Sequence, residues 1–82
     1  MSSSYEMINK EFDNQLFECS IIIVSILLNK YKAKLIDITD FKSHTANKIS
    51  YILDNFDIIK DEKEKTNIED LINECIAINN TL

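Results

Sequence analysis

Residues 19–28, CSIIIVSILL, place eight large aliphatic or sulfur side chains in ten positions, interrupted only by Ser20 and Ser25. A segment apolar on nearly every side must be covered on nearly every side. The other segments of this 82-residue chain have to supply that cover, or a partner has to. The segment is too short to cross a bilayer, which takes about 20 apolar residues, and Glu18 and Lys30 close it at either end. No membrane association is expected.

The chain contains no glycine and no proline. That removes the Gly-rich phosphate loop, the dinucleotide-binding turn and the nucleophile elbow. It also removes the usual two-residue hairpin turns, so the expected fold is all-α. A chain of this length makes one domain, read here as a single helical domain over residues 1–82.

Helical spacing supports that reading. Ser3 and Glu6 fit a capping box, which predicts a first helix from near Ser4 to about Tyr31. Its apolar stripe is Tyr5, Ile8, Phe12, Leu16, Cys19, Ile23, Ile26 and Leu27. From Ile21 onward the opposite side turns apolar too, through Ile21, Ile22 and Val24. The alternative is a break near Asn14–Gln15 followed by a buried strand, because IIIV is β-branched. Such a strand would find no second strand to pair with. Asn29 is the candidate for the left-handed residue that ends the helix.

Asp37 or Thr39 caps a second helix, with the stripe Ile38, Phe41, Thr45, Ile49, Ile52, Phe56 and Ile59. The charged run in 57–65, DIIKDEKEK, reads as a solvated connection. Thr66 and Glu69 form a further capping box for a third helix burying Ile68, Leu71, Ile72, Cys75 and Ile76, with Ile78 beside them, and ending at Asn79–Asn80. The expected architecture is a small three- to four-helix bundle.

The net charge of −5 is unevenly spread. Residues 1–29 carry four acids against Lys10, and residues 49–82 carry eight acids against three lysines. Residues 30–48 carry five lysines against Asp37 and Asp40. The basic middle lacks the overall positive footprint of a nucleic-acid binder, and nucleic acid is not the expected partner on that ground. The competing reading keeps a helix-turn-helix over Asp40–Asn55, with Lys42, His44, Asn47 and Lys48 as its contacts and the acidic run behind it as a wing.

His44 is the single histidine. The segment FKSHTANKISYIL around it resembles the helix of histidine phosphotransfer and kinase dimerisation domains. That resemblance implies a phosphoacceptor at His44, with Asn47 and Lys48 as the polar residues that follow it. The segment FDIIKDEKEKTNIEDLI is similar to the end of acyl carrier proteins, which would put a modified serine near Ser43; the context there is K-S-H, not D-S-L. A zinc site from His44, Cys19 and Cys75 lacks the paired short ligand spacings. Asp61, Glu62 and Glu64 lack the glycine of a calcium loop. No catalytic residue, cofactor or metal is assigned, and enzyme activity is not expected.

Cys19 and Cys75 sit in apolar settings, and no basic region leads into an apolar stretch at the N-terminus. Both thiols are expected buried and reduced in a cytoplasmic protein. The expected role is protein–protein interaction: a small acidic regulator, inhibitor, antitoxin or immunity-type protein, acting on a protein partner and in its simplest form as a homodimer. Ile21, Ile22, Val24 and Leu28 are the apolar contacts of that interface, and Glu11, Asp13, Asp54 or Asp57 orient a basic partner.

Overall fold

The structure, a computed structural model, describes the backbone of residues 2–81 and the side chains of residues 14–81. Three helices follow one another: α1 (Ser2–Lys32), α2 (Ile38–Asp54) and α3 (Glu62–Asn79). The protein is all-α, 84% helical, with no strand among the described residues. The single long helix expected to about Tyr31 forms, and the alternative, a break near Asn14–Gln15 followed by a strand, does not: α1 runs through those residues unbroken. The side chains of the Ser3–Glu6 capping box lie outside the described residues.

At 1.5 Å per residue α1 is about 46 Å long, against about 26 Å for each of the others. It therefore overruns them by about 20 Å toward its N-terminus. Lys30 and Lys32 in its last turn complement the negative end of the helix dipole. The stop itself is a Schellman motif. Leu35 N–H reaches Lys30 O at 2.9 Å and Lys34 N–H reaches Tyr31 O at 3.0 Å, with Lys34 at φ 63°. Asn29, the expected left-handed residue, stays inside the helix.

α2 begins on Asp37, whose carboxylate accepts from Asp40 N–H at 2.8 Å. It buries Phe41, Thr45, Ile49 and Ile52, as the spacing predicts. It ends at Asp54, so Phe56 and Ile59 belong to the connection. Asn55 closes it, its side-chain amide donating to Tyr51 O at 2.9 Å. A short 3-10 turn, Phe56–Ile58, follows. Ile59 is buried beyond it and ties the connection to the core.

α3 starts four residues before the Thr66 box. Asp61 accepts from Lys63 N–H at 3.2 Å, and Glu62 and Glu64 occupy the first turn, where negative charge is favourable. Thr66 is inside the helix and donates to Glu62 O at 3.1 Å. The run read as a loop is rich in Lys and Glu, which are good helix formers.

α1 and α3 run in the same direction and α2 runs against both. Glu18 and Ile21 of α1 lie beside Glu64 and Ile68 of α3, and Lys32 near the end of α1 pairs with Glu74 near the end of α3. The core comprises Phe17, Val24 and Leu28 from α1, the apolar stripe of α2, Ile59, and Ile68, Ile72 and Cys75 from α3. Tyr31 and Phe41 close the α1–α2 corner, with ring centroids 5.2 Å apart. Thr45, the one buried polar side chain among the described residues, donates to Phe41 O at 2.7 Å and accepts from Asn79 Nδ2 at 3.2 Å, which avoids the penalty of an unpaired hydroxyl.

Candidate interaction face

α1 carries two apolar faces. The inner one is Phe17, Ile21, Val24, Leu28 and Tyr31, with gaps of four, three, four and three, and it packs on α2 and α3. The outer one is Leu16, Cys19, Ile23 and Ile26, with gaps of three, four and three. At 100° per residue the centres of the two faces lie about 140° apart on the helix. Two companion helices reach only one of them.

The outer face is open to solvent. Leu16 is 43% exposed, Ile23 40% and Ile26 48%, and Ile22 at its edge is 56% exposed. The Cys19 thiol is free and exposed in the middle of it. From Ile22 the apolar surface turns into an open groove of about 270 Å³ between α1 and α3, lined by Ile21, Ile22 and Ile68 and rimmed by Glu18 and Glu64. This is a contiguous apolar patch with an acidic edge, the surface character of a docking site.

The structure redistributes the expected interface residues. Ile22 is exposed and Ile21 is half-buried. Val24, at 0% exposure, and Leu28 are core residues, which corrects their assignment to the interface. The side chains of Glu11 and Asp13 lie outside the described residues. Leu16, Cys19, Ile23 and Ile26, expected in the core, face water instead. Both stripes obey helical spacing, and the choice between them is made by where α2 returns. Phe17 was the available signal: the largest apolar side chain of residues 14–28 stands outside the stripe first traced, and a large aromatic seldom faces water in mid-helix.

The two cysteines differ for the same reason. Cys75 is buried and free. Burial, reinforced by the Glu74 carboxylate and opposed by Lys32, raises its thiol from 9.0 to about 11. Cys19 is on the surface, contrary to expectation.

The alternative contacts do not form one face. Lys42 donates its ammonium to Thr81 O, and Lys48 donates to His44 O at 3.3 Å. Lys42 and Lys48 lie about 120° apart on α2, on either side of its buried stripe. His44 and Asn47 are exposed. A helix-turn-helix needs a turn within residues 40–55, and α2 is continuous there up to Asn55. Ser43 donates to Thr39 O at 3.2 Å. Among the described residues no three His, Cys, Asp or Glu side chains converge as metal ligands, and no helix is long and apolar enough to cross a membrane.

A concavity of about 680 Å³ at the α1–α2 turn is bordered by Lys32, Lys34, Asp37 and Asp40. Its two positive and two negative groups offset one another, and Lys32 is already paired with Glu74. It offers no net charge to a ligand.

No protein-family model, no curated protein and no solved structure matches this chain.

Proposed function

We propose that this protein acts by binding protein through the outer face of α1, as a small acidic regulator of the inhibitor, antitoxin or immunity type. The observation that carries the reading is the exposed row Leu16, Cys19, Ile23 and Ile26, extended by Ile22. These side chains are apolar and contiguous, and they are held on a rigid helix whose other side is anchored in the core. Covering them releases ordered water at roughly 25 cal/mol per Å². Exposed Glu18, Asp54 and Asp57 and the overall charge of −5 favour approach to a basic surface and speed encounter.

The test compares the wild-type chain with Ile23→Asp and with His44→Ala as bait on a support, after circular dichroism shows all three folded. Loss of bound protein with Ile23→Asp, and retention with His44→Ala, supports the outer face as the binding surface. Equal retention by Ile23→Asp and wild type would sink it.

A further inference from the structure

We infer that the occupant of the outer face is a second copy of this chain, with the two α1 helices packed antiparallel about a two-fold axis. The inference rests on the interaction reading above and names the occupant of that face; the exposed acids Asp54 and Asp57 lie outside α1 and stay open to a basic target of the dimer. Three observations carry it.

The first is spacing. Leu16, Cys19, Ile23 and Ile26 repeat at three, four and three, which is the a/d pattern of a two-stranded seam. The sequence keeps that register one step earlier, at Phe12. The inner face is too fully used by α2 and α3 to take part. The outer side is open, so a second helix can come to the 8–10 Å separation of packed helices.

The second is charge order. Before the seam α1 carries Glu6, Glu11 and Asp13 against Lys10; after it come Lys30 and Lys34, both exposed. In a parallel pair acids would meet acids and lysines would meet lysines. In an antiparallel pair the acidic beginning of one helix lies beside the basic end of the other. Lys30 extends the seam by one more step of four and, on an axis midway between residues 19 and 23, is set opposite Phe12 of the second copy, whose sequence neighbours are Glu11 and Asp13. The antiparallel pair also opposes the two helix dipoles favourably.

The third is self-complementarity. A two-fold axis midway between residues 19 and 23 sets residue 16 opposite residue 26, and residue 19 opposite residue 23, of the second copy. Every apolar position of the row then meets an apolar position. An isologous contact of this kind closes at two subunits. Among the described residues it uses the whole row from Leu16 to Ile26.

Light scattering on the full chain, from micromolar to submillimolar concentration, gives the first reading. Wild type is expected at twice the 9.5 kDa chain mass, and Ile23→Asp at the chain mass with unchanged helicity. Orientation is read in a Cys19→Ser background by oxidising Leu16→Cys and Ile26→Cys variants with glutathione disulfide. The antiparallel pair gives a cross-linked dimer only when the two variants are mixed. A parallel pair gives one from each variant alone.

A wild-type monomer at the highest concentration overturns the inference. If Ile23→Asp still abolishes partner capture in that case, the proposed function stands without it. A dimer that survives Ile23→Asp overturns the location, and self-cross-linking of each single variant overturns the orientation.

Discussion

The inner and outer faces of α1 are made of the same kinds of residue at the same spacing, and they have opposite fates. Val24 is fully buried while its neighbour Ile23 is 40% exposed. Phe17, Ile21, Val24 and Leu28 meet α2 and α3; Leu16, Cys19, Ile23 and Ile26 meet water. Composition does not separate the two rows. What separates them is supply: two short helices of 17 and 18 residues present one apolar stripe each, and both stripes are spent on one side of α1. An apolar helix face is a requirement for cover, and this fold meets that requirement once on a helix that makes it twice.

The sharpest way to break the comparison is to put the same charge on each face. Val24→Asp places an unpaired carboxylate in the core, a change expected to cost more than about 4 kcal/mol. The total stability of a chain this size is about 5–10 kcal/mol, so that variant should be largely unfolded or close to it. Ile23→Asp, one residue away, should cost the isolated chain about 1 kcal/mol, mainly through the partial burial that Ile23, 40% exposed, gives up, with a few tenths from helix propensity. Urea titration at low protein concentration, followed by circular dichroism, reads both. Equal losses from the two would mean that α1 is rotated from the orientation described.

The cysteines sharpen the same contrast without mutating either face. A maleimide at neutral pH should modify Cys19 in a single fast phase and leave Cys75 untouched until the chain is unfolded, because thiolate is the reactive form and Cys75 is buried with its thiol raised to about 11. Assembly through the outer face covers Cys19, so its labelling should slow as protein concentration rises. The pH dependence has a definite sign. Between pH 9 and about 11 the unfolded chain ionises Cys75 and the folded one does not. The unfolded state therefore binds fewer protons, and stability falls as pH rises through that window. Cys75→Ala lowers stability overall but removes that part of the slope. A slope unchanged by the substitution would show that Cys75 is not its source.

Much of the fold was legible in the sequence, and the reason is visible in α2. Its stripe of Phe41, Thr45, Ile49 and Ile52 has no second apolar row beside it, only Tyr51 and an exposed Leu53, so spacing has one solution and the structure adopts it. The absence of glycine and proline excluded hairpins and left helices. α1 defeated the same method because it has two solutions, and periodicity holds no information about which side the returning chain will cover. The start of α3 was obscured by chemistry: KDEKEK is charged enough to be a loop, yet Asp61 caps it and its lysines and glutamates favour helix. The candidate site inherits the ambiguity of α1. A surplus of apolar surface was readable from residues 19–28; its address, Leu16 to Ile26 on the outer side, needed the position of α2.

That position is set by the turn between α1 and α2, and the turn supplies the smallest effect that still bears on the two faces. Lys34 adopts φ 63°, a left-handed conformation that costs a residue with a Cβ about 1–2 kcal/mol. Leu35, which in a Schellman motif commonly packs back on the helix, is 72% exposed and returns little. Lys34→Gly removes the steric cost but adds backbone freedom to the unfolded chain, for an expected net gain of about 0.5–1 kcal/mol. Asn29→Gly, at the position where sequence alone placed the stop, lies within the helix and should instead lose roughly 0.3–0.5 kcal/mol. Both changes act on how firmly α2 is held against the inner face. Neither touches the row from Leu16 to Ile26, so association of Lys34→Gly should match wild type while its urea midpoint rises. A lower midpoint would mean that the Lys34 side chain makes a contact worth more than the strain it bears.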